Sequence, residues 1–291
     1  MRFERLAMKR LISLSFSFLI YFVSFSQNVD TDIFVFDVDF GKGKLSNARN
    51  ITKWKGYDNQ PFFGEDSKVI YFTRAFRDQS DAYYYEFQHK VVREFTGTKT
   101  TSEYSPTLTP DGKFISVIRV EEDSAQRLWK FPLDMGDPLL VFEKIKPVGY
   151  HVWVDDITVA MFVLGSPNAL HIANTATGNS KPVAYDIGRS LHYYQGGVYF
   201  VHKESEAIWW IKRYDVESGE MSRIVESLTG REDFTVTSTG KILMGDGEKI
   251  YQLKSGKWKK VFTIKNEQIK DFNRMVLSKD EKKLALVSVM K

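Results

Sequence analysis

The sequence contains no cysteine among its 291 residues. This absence excludes disulfide bonds, thiolate nucleophiles and zinc sites with cysteine ligands, and it also excludes lipid attachment to an N-terminal cysteine. Alanine is scarce, whereas Phe, Tyr and Trp together make up 14% of the chain. That balance favours β-strands over helices.

An excess of one charge sign is also missing from most of the chain. The first 26 residues hold four basic residues and one acidic residue, so the remainder carries 37 basic and 36 acidic residues. A nucleic-acid-binding protein would need a clear basic excess. We therefore expect no nucleic-acid partner.

No apolar run is long enough to span a membrane. The longest one, at residues 11–23, is interrupted only by serines and follows Lys9 and Arg10. A spanning helix needs about 20 residues. Small residues at Ser24 and Ser26 suit a signal peptidase. We interpret residues 1–26 as a secretory signal peptide, with the true start at Met1 or Met8.

Cleavage after this peptide would leave residues 27–291 as one exported domain without stable membrane insertion. No sequence feature points to a eukaryotic organelle. We therefore expect a bacterial protein that is periplasmic or secreted and is not a lipoprotein.

A strand, tight turn and strand at residues 105–117 form the unit that recurs along the chain. Pro110 favours the first turn position, and Asp111 and Gly112 suit the next two. Related segments follow one another at intervals of 41 to 45 residues. The six copies lie at residues 61–70, 106–115, 151–162, 192–200, 234–243 and 275–284.

A second aromatic or aliphatic strand lies between these copies, and a more polar strand follows it. Each repeat therefore has four strands, here called A to D, which is the content of a β-propeller blade. The third strands lie at residues 33–36, 82–85, 128–131, 170–172, 208–211 and 250–253. These counts predict an all-β, six-bladed propeller with four-stranded blades.

The order of the strands indicates how the ring closes. The chain begins with an unmatched C and D pair at residues 33–52 and ends with an A and B pair at residues 275–290. Pairing the two would complete the sixth blade and leave no open sheet edge. An open stack of hairpins is the alternative, and it would expose both ends.

Three motifs resemble the TolB-type propeller repeat. They are Thr-Pro-Asp-Gly-Lys at residues 109–113, Asp-Ile-Phe-Val-Phe-Asp-Val-Asp at 32–39, and Arg-Asn-Ile-Thr at 49–52 before the junction at 56–61. The resemblance covers residues 32–289. It implies a periplasmic propeller that binds other proteins, although the family also includes propellers joined to peptidase or lyase sites.

Motifs for catalysis are missing. The sequence has no Gly-x-Ser-x-Gly elbow, no phosphate loop and no His-Glu-x-x-His. His151 and His192 occupy the position of Pro106 in neighbouring blades and could together bind a metal or a ligand carboxylate. Isolated structural histidines are the simpler interpretation, because a metal site needs a third ligand. We expect no catalytic residue, no bound metal and no cofactor.

The segments that precede the A strands should form the rim of one propeller face. Tyrosine and arginine are frequent anchors of binding interfaces, and loop tips are polar in most proteins. We predict that this rim binds a partner. The candidate residues are Tyr57, Asp58, Glu103, Tyr104, Tyr150, His151, Arg189, His192, Arg231, Asp233 and Arg274.

Two functions are compatible with these features. The first is a monomeric, non-catalytic scaffold that binds a protein or peptide partner in the cell envelope. The second is a lyase or hydrolase that acts on a glycan at the mouth of the channel. A catalyst would need titratable groups that converge in one pocket and have shifted pKa values.

Overall fold

The computed structural model describes residues 29–290. They form six separate sheets, each of four antiparallel strands. The predicted signal peptide at residues 1–26 lies outside the described residues. Within residues 29–290 no helix is long and apolar enough to cross a membrane.

The strands follow the predicted order of A to D in every blade. Blade 1 comprises β3 (Asp58–Phe63), β4 (Val69–Phe76), β5 (Gln79–Glu86) and β6 (Val91–Glu94). Blade 2 comprises β7 (Ser102–Leu108), β8 (Phe114–Val120), β9 (Gln126–Pro132) and β10 (Leu139–Leu140). Blade 3 comprises β11 (Val148–Trp153), β12 (Thr158–Val163), β13 (Ala169–Asn174) and β14 (Ser180–Tyr185).

The second half of the chain repeats this arrangement. Blade 4 comprises β15 (Ile187–Tyr194), β16 (Gly197–Lys203), β17 (Trp209–Asp215) and β18 (Met221–Glu226). Blade 5 comprises β19 (Phe234–Val236), β20 (Ile242–Asp246), β21 (Lys249–Lys254) and β22 (Lys257–Thr263). Blade 6 comprises β23 (Phe272–Leu277), β24 (Lys283–Val289), β1 (Thr31–Asp39) and β2 (Lys44–Asn50).

Blade 6 confirms the predicted closure. Strand β1 pairs with β24 in antiparallel register from Thr31 opposite Val289 to Asp37 opposite Lys283. Its side chains Ile33, Phe34 and Val35 are buried. The sheet that joins the two ends of the chain is therefore also part of the hydrophobic core.

The turn between strands A and B has the predicted chemistry. In blade 2, Gly112 has a φ of 68°, a value that costs glycine little. The Asp111 carboxylate accepts hydrogen bonds from the Thr109 hydroxyl at 2.6 Å and from the Lys113 backbone N–H at 3.1 Å. The motif thus fixes the turn with its own side chains.

A second repeated contact links strands C and D. The Thr52 hydroxyl donates to Asp32 at 3.0 Å and accepts from the Ile33 backbone N–H at 3.0 Å. Blade 1 repeats this arrangement with Thr96, which donates to Asp81 and accepts from the backbone N–H of residue 82, both at 3.0 Å. The same contact between Asp and Thr thus joins the C and D strands of two neighbouring blades.

The apolar core lies between neighbouring blades. Ile33 and Val35 of blade 6, for example, pack in one cluster with Ile70 and Phe72 of blade 1. Because each sheet is apolar on both faces, the blades stack around the ring.

Strand direction defines two faces of the ring. Every A strand begins at the same end as the turns between strands B and C, and we call this end the entrance face. The turns between A and B and between C and D lie at the opposite end, the exit face. The loops that connect successive blades reach the A strands on the entrance face.

Candidate functional site

All six A strands line one cavity at the centre of the ring, and its residues Arg189, Asp233 and Arg274 lie near the entrance ends of their strands. This entrance cavity has a volume of about 190 Å³. Every blade contributes to its wall. Six of the eleven predicted rim residues line it, namely Tyr150, His151, Arg189, His192, Asp233 and Arg274.

The A strands are irregular where they reach the cavity. Gln60, Ser105 and Arg274 lie at or beside register shifts in their strands, with φ values of 58°, 55° and 37°. Residues other than glycine seldom adopt such values, because Cβ crowds the backbone. All three residues line the entrance cavity. Such bulges re-aim side chains and are frequent near functional sites.

Arg274 brings a cation into this cavity. Its Nη2 donates a hydrogen bond to Tyr150 Oη at 2.8 Å, and the guanidinium lies 4.9 Å from the centre of the Tyr150 ring. Among residues 29–290, no carboxylate oxygen lies within 4 Å of this guanidinium. Arg274 is thus held by the ring and the hydroxyl group of Tyr150, without an ion-pair partner among the described residues.

Arg189 and Asp233 form an ion pair between blades 4 and 5. The Arg189 guanidinium donates to both carboxylate oxygens of Asp233, at 3.1 Å and 2.6 Å. Burial would raise the pKa of Asp233, but the Arg189 hydrogen bonds and the Arg274 charge outweigh it and hold the pKa below its usual value. Asp233 therefore stays ionised.

His151 is part of a buried network. Its Nε2 lies 2.7 Å from Ser116 Oγ, which donates to the Thr107 carbonyl at 2.9 Å and accepts from Trp153 Nε1 at 2.9 Å. The hydroxyl hydrogen of Ser116 is thus already donated to Thr107, so His151 Nε2 must be protonated and donate to Ser116 Oγ. Nδ1 of the neutral ring is then unprotonated and can only accept. Within the described residues, His151 Nδ1 has no hydrogen-bond partner. Burial lowers the His151 pKa to about 3.

His192 is also engaged through Nε2, which lies 2.8 Å from the Phe234 carbonyl oxygen. Burial lowers the pKa of His192 to about 4, although this hydrogen bond acts in the opposite direction. Both imidazoles are therefore neutral near pH 7 and are fixed to protein atoms by Nε2. Residues 29–290 contain no group of three or more His, Cys, Asp or Glu side chains able to hold a metal ion.

Three other predicted residues lie beside the entrance cavity. Tyr57 and Tyr104 line a neighbouring cavity of about 410 Å³ that shares Gln60 and Tyr150 with it. Burial raises the pKa of Tyr57 to about 12, so its hydroxyl remains a hydrogen-bond donor. Arg231 lines a cavity of about 220 Å³ on the other side and forms ion pairs with Asp246 at 2.9 Å and Asp271 at 3.1 Å.

The last two predicted residues, Asp58 and Glu103, are buried within their own blades. Asp58 accepts hydrogen bonds from Arg74 Nε at 2.7 Å and Nη2 at 2.9 Å. Glu103 lies 3.2 Å from Arg119 Nε. Each acid is thus neutralised by an arginine from the neighbouring strand B, and neither lines the entrance cavity.

Sequence reasoning missed an aromatic pair on the entrance face. Trp54 and Phe76 are 39% and 51% exposed, and their ring centres lie 5.8 Å apart. Arg74 lies 4.9 Å from the Trp54 ring, and Arg77 lies 5.1 Å from the Phe76 ring. The sequence feature that could have indicated this pair is Trp54 itself, a large aromatic residue between two lysines in a loop where polar residues are expected.

The comparisons with known proteins identify the fold. No family model and no curated protein matches the sequence. Among solved structures, a putative TolB from Agrobacterium tumefaciens is 15% identical, with a TM-score of 0.69 over 90% of this chain and 99% of that one. TolB from Acinetobacter baumannii is 17% identical, with a TM-score of 0.53 over 63% of this chain and 47% of that one.

The fold is that of a TolB-like six-bladed propeller. An oligogalacturonate lyase in complex with manganese has a similar fold, at 13% identity and a TM-score of 0.59 over 84% of this chain and 80% of that one. Likeness at these identities concerns the fold, and function rests on the site itself. In this TolB-like propeller the site is a cavity with a cation, two neutral histidines and an aromatic rim.

Proposed function

We propose that this chain is an exported, monomeric propeller that binds a protein or peptide partner in the bacterial cell envelope through its entrance face. Binding, without a chemical reaction, is the role that the side chains of the entrance cavity support best. In this proposal the TolB-like fold is the scaffold, and the residues that line the entrance cavity and its rim recognise the partner.

The observation that carries the proposal is the fixed protonation of the cavity. His151 and His192 are neutral, Asp233 is held as an anion by Arg189, and arginine does not deprotonate in proteins. General acid–base catalysis needs a group that exchanges protons near the working pH. The cavity instead offers a permanent cation and hydrogen-bond donors, which suit recognition.

The aromatic pair Trp54 and Phe76 extends the proposed interface beyond the cavity. Exposed aromatic residues next to arginines are typical of binding hot spots. Along the chain, residues 55 and 56 connect Trp54 to Tyr57, which lines the neighbouring cavity of about 410 Å³. A partner segment could therefore contact the rim and the cavity at the same time.

The proposal predicts that rim variants lose a partner that the wild type retains. The double variant Trp54→Ala and Phe76→Ala should reduce recovery of the partner by at least about tenfold in a quantitative pull-down from periplasmic extract. Ile157→Ala is the matched control, because Ile157 is 48% exposed on the exit face. Equal recovery with all three proteins would contradict the use of this face.

A glycan-acting lyase or hydrolase is the second candidate function. The similar fold of the oligogalacturonate lyase favours it, whereas the lowered pKa values of His151 and His192 oppose it. Incubation with oligogalacturonides, with and without Mn²⁺, tests it directly by the appearance of unsaturated or shortened products. Turnover that disappears in His151→Ala would support the enzyme and argue against the scaffold.

Export and monomeric state are testable apart from the partner. Mass spectrometry of the protein from the periplasmic fraction should give a chain that begins at Gln27. Light scattering of that material should give the mass of one chain. An intact leader or a stable dimer would contradict these parts of the proposal.

A further inference from the structure

The entrance cavity is lined by the half-buried guanidinium of Arg274, whose donors are mostly unused. Arginine has five N–H donors, and among residues 29–290 the Arg274 guanidinium makes one hydrogen bond, to Tyr150. A cation that is partly withdrawn from water and has no opposite charge beside it has lost some hydration without gaining an ion-pair partner. Such a group is therefore a candidate for ligand recognition.

The nearest acid does not satisfy Arg274. Both carboxylate oxygens of Asp233 are already bound by Arg189. Beyond this pair, Glu232 lies 3.4 Å from Arg189 and 2.7 Å from the ammonium group of Lys203. The local acids are thus shared among other cations, and Arg274 remains the one that lacks a counter-charge.

The charge of the cavity limits what can bind there. Two arginines and one aspartate are its charged lining residues, and the two histidines are neutral, so the wall carries a net charge of +1. One negative charge would balance it. A carboxylate matches this charge and also fits the planar fork of a guanidinium, whereas a phosphate dianion would leave an excess.

His151 does not extend this site. Its side chain is 7% exposed, and its Nδ1, which has no hydrogen-bond partner among the described residues, has almost no surface that a ligand could reach. The carboxylate is therefore the group of the ligand that the charges of the cavity specify.

We propose that the entrance cavity binds a peptide carboxylate, from a chain terminus or an acidic side chain, with Arg274 as the anchor. This inference rests on the proposed partner-binding function and specifies the chemistry of the bound segment. A cavity of about 190 Å³ has room for one side chain or chain end, while the rim carries the rest.

Calorimetric titration of the full mature chain with small peptides tests this site. The probes are acetyl-Ala-Ala with a free carboxyl terminus, acetyl-Ala-Glu-Ala-amide, and the neutral acetyl-Ala-Ala-amide and acetyl-Ala-Gln-Ala-amide. We expect at least one carboxylate probe to saturate below about 10 mM, and both neutral probes to bind at least about tenfold more weakly.

Variants locate the binding within the cavity. Arg274→Gln should weaken binding of the carboxylate probe at least tenfold. Arg274→Lys keeps the charge but loses the planar fork of the guanidinium, so its affinity should lie between those of the wild type and Arg274→Gln. Arg93→Gln is the control, because Arg93 is 58% exposed on the outer strand β6. Thermal unfolding of Arg274→Gln should occur close to that of the wild type, because Arg274 is half-buried, has no ion-pair partner and makes a single hydrogen bond among the described residues.

Several outcomes would overturn the inference. These are no saturation by either carboxylate probe, equal binding of the neutral probes, unchanged affinity in Arg274→Gln, and tighter binding of inorganic phosphate. Binding of galacturonate with no binding of either carboxylate peptide would assign the cavity to a glycan and would also overturn it. Carboxylate binding without any envelope partner in the pull-down would instead refute the scaffold and leave this site standing.

Discussion

Asp58 and Glu103 show how a residue that looks functional in the sequence can be structural in the fold. Each acid lies opposite an arginine on the next strand, Asp58 opposite Arg74 and Glu103 opposite Arg119. Both arginines lie sixteen residues further along the chain. That repeated spacing was visible in the sequence, but an acid in a loop before a strand gives no sign of its burial. Only the register of the sheet shows which cation it meets.

The Asp58 and Arg74 pair should be costly to break from one side. Arg74→Leu leaves a fully buried carboxylate without a partner and should lower the free energy of unfolding by about 3 to 5 kcal/mol in urea titrations. Replacing both residues by leucine should cost less than the single change. In the exposed pair with Glu86, Arg93→Ala should cost less than about 1 kcal/mol. A double variant less stable than Arg74→Leu would contradict this account.

Glu281 should make stability depend on acid pH. Burial would raise its pKa, but hydrogen bonds from Lys241 and Thr239 lower it to about 2, against an ordinary value of 4.5. As the pH falls from 4.5 towards 2, the unfolded chain takes up this proton before the native protein does, so the stabilisation is lost in that window. The difference in unfolding free energy between wild type and Glu281→Gln should therefore shrink between pH 5 and pH 3. A constant difference across this range would show that Glu281 has no such role.

At the scale of strands, the sequence predicted the elements much better than their irregularities. Turn residues such as Pro110, Asp111 and Gly112 specify where strands end, and alternating apolar residues specify the blades. The bulges at Gln60, Ser105 and Arg274 carry no such signal, because glycine would be the expected residue at a positive φ. Arg274 was therefore predicted as a rim residue, and its position inside the cavity required coordinates.

Packing between neighbouring blades makes one glycine in strand β20 essential. A Cβ at Gly245 would lie 2.3 Å from Cζ of Phe272, a buried residue in β23. Gly245→Ala should therefore destabilise the protein by about 1 to 3 kcal/mol through overpacking. Chemical denaturation measures this loss, and Phe272→Leu in the same chain should recover part of it. Gly41→Ala is the control, because its Cβ would meet only Asp39 at 3.3 Å.

At the scale of the whole molecule, the pairing of β1 with β24 makes the ring one closed unit. The backbone N–H of Met290 donates to the carbonyl of Asp30 at 2.7 Å, so the ends of the described chain are adjacent. This closure could be predicted from the order of the strands. The chain begins with strands C and D and ends with strands A and B, and in a ring these four strands can only form one blade. The sequence could not show which side chains of the six A strands line one cavity, since that depends on the positions of all six strands together.

A circular permutant should separate the fold from its closure. Joining residue 290 to residue 29 by a short linker and opening the chain between β2 and β3 keeps every strand and every blade. The permutant should retain the native β-sheet spectrum but unfold faster in urea, because no sheet then holds the two chain ends together. A wild-type unfolding rate would show that closure by β1 contributes nothing to kinetic stability.

The adjacency of Asp30 and Met290 also bears on how the protein is handled in the laboratory. Both lie on the entrance face. A resin, chip or dye attached next to either residue would therefore obstruct the entrance cavity and hinder ligand binding. The missing cysteine offers a remedy. Met135 is 100% exposed on the exit face, and Met135→Cys would give a single thiol for attachment, with the open side of the ring turned towards solution.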